Sequence, residues 1–448
     1  MIQNRIPEIS VGIVSGTGLT FTLNGEFICG DEDKRLLSGR FTALTRDGKL
    51  LLRSDNETVE AGSEITLTPS SYGSCSFTLH AVTIGVDFHW QRNEDQTFMG
   101  MLKFITRGGL VTAVNILTIE DYLLSVISSE MRATSSGELL RAHAVISRSW
   151  LLAQIDKTLM LSELPERYRT SFISGTELTR WYDREDHKEF DVCADDHCQR
   201  YQGITRASTQ AVQEAVRETS GEVLMSGDNI CDARYSKCCG GVTELFENVW
   251  EPVIHPYLQK ITDNSQPPAG FDTDLTSEPN AAAWIRGNPE AFCNTADRNI
   301  LSQVLNNYDQ ETNDFFRWKV TYTQSELSTL VRERTGIDFG AITSLEPLTR
   351  GTSGRIVRLK ITGDKRTMII GKELEIRKAL SKTHLYSSAF CVETVTGGEE
   401  MTFILHGAGW GHGVGLCQIG AAVMGASGYS YREILSHYFL NSEIQKIY

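Results

Sequence analysis

Between residue 8 and about residue 115 apolar and polar side chains alternate, and from Ile119 that alternation gives way to a helical period. No other feature of the sequence constrains the fold as much. A period of two buries one face of a strand, whereas i, i+3, i+4 buries one face of a helix. Val11-Gly-Ile-Val14, Leu19-Thr-Phe-Thr-Leu23 and Glu64-Ile-Thr-Leu-Thr68 carry the first period, with turns at Gly25, Asp47-Gly48 and Gly108-Gly109. Ile119, Tyr122, Leu123, Val126 and Ile127 carry the second, with Thr118 as N-cap. Ser135-Ser-Gly-Glu138 has the form of a capping box, and it opens a second helix on Leu140, Ala144, Ser147 and Leu151. A third helix runs from Thr205 to Thr219 and stops at Gly221, a polar loop covers Asn264 to Asn280, and residues 317–392 return to mixed helix and strand. The fold class is therefore α+β: a β-rich region over 1–115 and a mixed region over 116–448, with an α+β subregion at about 265–392.

Composition narrows the function. With 57 Asp+Glu against 43 Lys+Arg, a net charge of −14, the chain lacks the cationic surplus that a broad nucleic-acid surface or an anionic membrane requires. Nucleic acid is thus not an expected partner. No apolar run approaches ~18 residues, so no membrane span is expected either. The segment Met1 to Pro7 has no apolar core of a secretory signal. The protein is then cytosolic, processed, or exported by another route. Of ten cysteines, five fall between 193 and 239, and Cys29, Cys75, Cys293, Cys391 and Cys417 are scattered. That distribution resembles a local metal or structural site more than a disulfide framework.

Three segments hold residues with chemistry. Glu130 closes the first helix in Val126-Ile-Ser-Ser-Glu-Met131. The negative end of the helix dipole does not favour an anion there, which suits a general acid, although a solvated Glu at a helix end is the plainer account. His187, Cys193 and Cys198 form His-x5-Cys-x4-Cys beside His197, and imidazole and thiolate are zinc ligands. A disulfide or buried thiols would also account for them. Cys238-Cys239-Gly-Gly241 adds a ligand or a tight turn. Near the C-terminus eight glycines fall within 22 residues, interleaved with Trp410, His412 and Gln418. No Gly-Lys-Ser/Thr follows, so the segment is no phosphate loop. It is either a close-packed structural turn or a loop that presents Trp410 and His412, and a Trp face stacks well on a sugar ring.

Together these segments resemble the SpoIID/LytB family of stage II sporulation protein D and amidase enhancers. Asn115-Ile-Leu-Thr-Ile-Glu-Asp-Tyr-Leu123 is similar to the family's entry to its first helix, and Ser129-Glu-Met131 to the segment with its catalytic Glu. Leu140-Arg-Ala-His-Ala-Val-Ile-Ser-Arg148 resembles Leu-Lys-Ala-Gln-Ala-Val-x-x-Arg, with His143 where Gln is usual and Ser149-Trp150 where Thr-Tyr is usual. Tyr235-Ser-Lys-Cys-Cys-Gly-Gly-Val-Thr243 resembles Ser-x-Cys-Gly-Gly-x-Thr. Leu385-Tyr-Ser-Ser-Ala-Phe390, Gly411-His-Gly-Val-Gly-Leu-Cys-Gln-Ile-Gly-Ala421 and Tyr431-Arg-Glu-Ile-Leu-Ser-His-Tyr438 complete the series in family order.

The resemblance implies a catalytic region with a glycan-binding groove. It implies a lytic transglycosylase of peptide-stripped peptidoglycan strands, outside the cytoplasm, with Glu130 as general acid/base. Arg148, Tyr235, Ser236, Gly240, Gly241, Ser387, Ser388, Trp410, His412 and Gln418 are then expected at the substrate, and zinc at His187, Cys193 and Cys198. The alternative within the family is a non-catalytic wall-binding enhancer of an N-acetylmuramoyl-L-alanine amidase, which would be its partner. A zinc hydrolase is a third reading, and no His-Glu-x-x-His is present to favour it.

Overall fold

The computed structural model describes residues 5–30, 34–84, 92–132, 135–162, 171–181, 187–195, 198–205, 208–268, 271–304 and 314–448. The expected alternation builds an eleven-stranded, largely antiparallel sheet among the described residues. Glu8–Gly16 lies between Leu110–Thr118 and the short parallel strand Val192–Cys193. Gly18–Cys29 pairs with Arg35–Arg46 and Ser76–Ile84. Asp47-Gly48 and Gly108-Gly109 make the expected turns, all four residues with positive φ. Gly25 does not: it lies inside the strand Gly18–Cys29, where the register shifts between Leu23 and Phe27, so it marks a bulge. The inward residues, among them Val11, Phe21, Phe41, Phe77, Leu102 and Phe104, are buried to 0–2% exposure.

The period changes at Thr118. Its hydroxyl accepts from the Asp121 N–H at 3.2 Å and caps the helix Ile119–Glu130. That helix buries Ile119, Tyr122, Leu123, Val126 and Ile127 into the same core as the sheet. The long helix Gly137–Ser162 follows. Its cap is one residue later than the sequence pattern suggests. Ser136 Oγ accepts from the Leu139 N–H at 3.3 Å, whereas Ser135 Oγ donates to the Gln303 carbonyl at 3.0 Å. Glu138 turns to Arg141 and to the Tyr431 N–H. The third helix is shorter than expected, Gln210–Glu218 with Thr209 as N-cap, because Gly203–Thr205 forms a separate tight turn.

A second core is built on Trp318, Leu327, Val331, Ile356, Ile361 and Phe403. It joins the helix Gln324–Thr335 to the sheet Ile342–Arg350, Ile356–Gly363 and Thr367–Gly371, and to the sheet Arg317–Thr323, Thr402–Ala408 and Phe390–Val395. Among the described residues no helix is long and apolar enough to cross a membrane.

The C-terminal strand Glu443–Lys446 returns to pair with Glu222–Ser226. Beside it Arg148 holds Glu120 through two bonds, at 2.9 and 2.7 Å, and Tyr448 Oη donates to the same carboxylate. Arg148 is fully buried and also reaches the Glu222 carbonyl at 2.9 Å. Removing one partner of a buried pair leaves the other charge uncompensated. Arg148→Ala is therefore expected to destabilise the chain by about 3–5 kcal/mol. A urea unfolding midpoint within experimental error of the parent would remove this pair from the set of structural ties.

Candidate functional site

Two stretches of backbone meet at the predicted residues. Tyr235–Ser236 lies parallel to Leu416–Cys417. Two residues beyond Ser236, Cys238 exchanges backbone hydrogen bonds with Trp410 at 2.9 and 2.8 Å. Such proximity leaves no room for side chains between the strands. A Cβ on Gly409 would approach the Cys238 carbonyl oxygen to 2.8 Å, and one on Gly240 would reach the Gly409 nitrogen at 3.0 Å. Both glycines also have positive φ, which favours glycine. Gly241 continues the same turn, its N–H-bearing segment tied through the bond from Asp263 N–H to its carbonyl at 3.1 Å.

Arg355, which the sequence reading did not single out, fastens the two stretches together. Its buried guanidinium donates to the Cys239 carbonyl at 3.2 Å and to the Gly411 carbonyl at 3.2 Å. No local pattern announces it, because the two carbonyls it joins lie more than fifty residues away in sequence.

Trp410 is half-buried, stacked on Phe315 at 4.8 Å and edge-on to Tyr386 at 4.9 Å. His412 is held by backbone at both ring nitrogens. Nδ1 accepts from the Val414 N–H at 3.0 Å, so Nε2 carries the proton and donates to the Tyr235 carbonyl at 2.9 Å. Burial, with Arg234 and Arg355 nearby, keeps the ring well below its usual range and neutral. Gln418 is buried and donates to His143 Nε2 at 3.1 Å, and His143 Nδ1 faces Ser147 Oγ at 3.1 Å. The His143 ring also packs edge-on against Tyr235 at 4.6 Å.

Besides Gln418, four more expected substrate residues face inward. Arg148 is bound to Glu120, as described above. Ser387 Oγ donates to the Ala408 carbonyl at 2.7 Å and accepts from the Ala389 N–H at 3.1 Å. Ser388 and Ser236 are buried, and neither hydroxyl has a hydrogen-bond partner among the described residues. Glu130, by contrast, is half-exposed, and its carboxylate makes no hydrogen bond or ion pair among the described residues. The backbone that leaves it is anchored: Arg132 N–H donates to the Gln303 carbonyl at 3.0 Å. The next carbonyl, that of Val304, accepts from Lys237 Nζ at 2.6 Å. Through residues 303–304 the end of the first helix is thus joined to the strand that carries Tyr235 and Ser236.

The predicted metal ligands also converge. His187, Cys193 and Cys198 offer donor atoms within 4.8 Å of one another, all three half-buried. Cys198 Sγ lies 3.5 Å from His187 Nε2 and accepts from the Cys193 N–H at 3.4 Å. His197 lies outside the described residues. Gln199, next to Cys198, accepts from Tyr122 Oη at 3.3 Å. Tyr122 precedes Glu130 by about 12 Å of helical rise, so this donor set lies toward the other end of the first helix. A cavity of about 660 Å³ lined by Lys260, Phe271, Phe292, Tyr429 and His437 contains none of the predicted residues.

His143 gives the site a pH dependence. Burial, assisted by Lys237, pushes its imidazole down to about 3. An unfolded His titrates near ~6.5, so below that pH the unfolded chain binds a proton that the folded chain refuses. The contribution is complete above pH ~6.5 and is lost as pH falls toward 3. His143→Gln, which restores the usual family residue, is expected to flatten this acid loss by up to about 1.4 kcal/mol per pH unit. Urea midpoints measured across the range would show an unchanged acid limb if His143 did not contribute.

Comparison with known proteins gives a family model, Stage II sporulation protein, over residues 107–225, and a domain of unknown function (DUF8618) over residues 244–415. An uncharacterized protein of Brachyspira hyodysenteriae is 26% identical, over 78% of this chain and 72% of its own. The stage II sporulation protein D of Bacillus subtilis is 21% identical, over 75% of this chain and 76% of its own. The amidase enhancer of Bacillus subtilis is 25% identical over 71% of this chain, a match that spans 39% of that longer protein. The Stage II sporulation protein model and the two named Bacillus subtilis relatives support the family that the six motifs resemble, the SpoIID/LytB group of stage II sporulation protein D and amidase enhancers.

Proposed function

We propose that the chain is a peptidoglycan lytic transglycosylase that cleaves the MurNAc–GlcNAc bond of peptide-stripped strands outside the cytoplasm. One observation carries the reading. Glu130 is a half-exposed carboxylate with no hydrogen bond or ion pair among the described residues, and the backbone after it is bonded to the segment that holds Lys237. A cell-wall role fits the relatives' names.

In this reading Glu130 acts alone. As an acid it protonates the glycosidic oxygen, and the bond from C1 of the muramic residue to that oxygen breaks. The muramic 6-hydroxyl then attacks C1 while the Glu130 carboxylate takes its proton. The products are a free GlcNAc 4-hydroxyl and a 1,6-anhydro end, no water is consumed, and the acid is regenerated. The substrate supplies the nucleophile, so the second carboxylate of an ordinary glycosidase is not needed. Tyr235, Trp410 and the Gly411–Gly413 backbone form the sugar-facing wall. Ser387, Gln418 and His412 position that wall from behind through the bonds described above, whereas Arg148 ties the first helix to the Glu222 strand.

Glu130→Gln keeps the shape but cannot cycle a proton, and acid/base catalysis is typically worth ~10²–10⁴-fold. Release of anhydro-ended fragments from purified stripped glycan, followed by mass spectrometry, is expected to fall by about that factor while glycan binding persists. Undiminished release would remove Glu130 from the mechanism, and hydrated reducing ends would end the transglycosylase reading. The amidase-enhancer relative favours one other reading, a wall binder without its own lytic step. A parent chain that cuts no glycan yet stimulates a wall amidase would establish it.

His187, Cys193 and Cys198 suit zinc, since imidazole and thiolate donors at this spacing leave a fourth position open. Bound there, zinc would tie the loop that carries them to the edge of the N-terminal sheet, where Val192–Cys193 pairs with Val11–Gly12. Cys193→Ser is expected to lower zinc content and melting temperature together. Finding Cys193 and Cys198 joined as a disulfide in the purified chain would exclude the site.

A further inference from the structure

Cys293 and Cys417, scattered in the sequence, meet Cys239 and Asp263 in the interior. Their four donor atoms lie within 4.8 Å of one another. All four residues are 0–2% exposed. They come from separate segments: the Cys-Cys-Gly-Gly turn, the loop after the Val242–Thr262 bridge, the residue following Phe292, and the N-cap of the helix Gln418–Ala426. We propose that Cys239, Cys293, Cys417 and Asp263 form a buried mononuclear zinc site, distinct from the His187, Cys193 and Cys198 set.

Distance selects the occupant. Cys239 Sγ and Cys293 Sγ are 3.8 Å apart. A tetrahedral zinc with Zn–S bonds of about 2.3 Å places its sulfurs about 3.8 Å from each other. A disulfide would need about 2.05 Å, and an iron–sulfur cluster needs four protein thiolates spread around several atoms. Cys238, the neighbouring thiol, is outside the set of mutually close donors.

Charge gives a second, independent argument. Thiols alone pack well as small apolar groups, but Asp263 is not explained that way. Its carboxylate is fully buried, and among the described residues no Lys, Arg or His lies within ion-pair distance. A buried carboxylate with no cation beside it takes up a proton, so an ionised Asp263 requires a cation at this position. Its two oxygens are nevertheless oriented: Tyr438 Oη donates to Oδ1, and the Cys293 N–H donates to Oδ2 at 2.8 Å. Cys417 Sγ accepts from the Cys239 N–H at 3.2 Å. Outer-shell donors of this kind orient metal ligands and stabilise their anionic forms. Space is reserved as well, because a Cβ on Gly420 would fall 2.2 Å from Asp263 Oδ1.

Binding would release three thiol protons and leave three thiolates, one carboxylate and Zn²⁺, a net charge of −2. Arg317 lies within electrostatic reach of Cys239 and Cys293. Its guanidinium donates to the Gly240, Gly287 and Trp284 carbonyls, and among the described residues no carboxylate pairs with it. A zinc–thiolate centre supplies the missing counter-charge. The site would be structural, joining the Cys-Cys-Gly-Gly turn to the helix that carries Gln418.

The test counts zinc in the full chain, purified without chelator, by native mass spectrometry and elemental analysis. The parent is expected to hold two zinc ions per chain and the Cys193→Ser, Cys198→Ser double variant one. Adding Cys293→Ala to that variant is expected to remove the last ion. Because this triple variant could fail to fold, the folded double variant is also reconstituted with Co²⁺ alone. The intense visible bands of tetrahedral, thiolate-bound cobalt are expected, with Cys239, Cys293 and Cys417 protected from alkylation until chelator is added. A folded double variant with no zinc and freely alkylated thiols would overturn the proposal. So would a Cys239–Cys293 disulfide in the peptide map. Loss of zinc from Cys193→Ser alone, with one ion retained, reports on the other site and leaves this one standing.

Discussion

The grip of Arg355 on two carbonyls, those of Cys239 and Gly411, is the interaction on which the candidate site depends. It brings together backbones from opposite ends of the second half of the chain, and it works only because Gly240 and Gly409 let main chain touch main chain. A guanidinium suits the task. Its planar fork reaches several acceptors at once and stays charged when buried. Once the two stretches are joined, the remaining arrangement follows: Tyr235 beside His143, Trp410 against Phe315 and Tyr386, and Cys417 beside Cys239. The glycine-rich segment thus serves close packing and presentation together. The close-packed turn and the displayed Trp410 are two sides of one device.

That device separates residues that hold from residues that face outward. His412 and His143 are both neutral and engaged at both ring nitrogens, so neither is poised to shuttle protons. Arg148, Ser387 and Gln418 are turned into the structure. What remains half-exposed around the joined segments is aromatic and uncharged at Tyr235, Tyr386 and Trp410, with Lys237 close by. Such a surface suits a neutral sugar ring better than a phosphate or a peptide carboxylate.

The sequence was legible where physics acts locally. Alternation, turn glycines and the Thr118 cap each depend on a few neighbouring residues, and each is found as expected, apart from Gly25. That glycine has the conformation of a turn residue but serves a bulge, which depends on the partner strand and not on its own neighbours. Ser136 displaces Ser135 as the cap for a similar reason, because Gln303 claims Ser135. The site was legible in its motif residues but not in their orientation. Nothing in the pattern Ala-Val-Ile-Ser-Arg tells whether Arg148 meets a substrate or Glu120. Arg355, Asp263 and Cys293 gave no local signal at all, because their roles arise from partners that only the tertiary fold supplies.

The return of the C-terminal strand has a consequence for the order in which the molecule can assemble. Tyr448 reaches Glu120 across 328 residues of sequence, and His143 reaches Gln418 across 275. Contacts of such span form late, since the entropy of closing the intervening loop must be met before they contribute. The strand Glu222–Ser226 waits for Glu443–Lys446 on one edge, and the interior of the long helix waits for Gln418. Until residues 418–446 are in place, the strand Glu222–Ser226 therefore has an unfinished edge and the long helix an open interior. The joined segments that form the candidate site depend on the same late contacts, since Gln418 follows directly on the strand Leu416–Cys417 that pairs with Tyr235–Ser236.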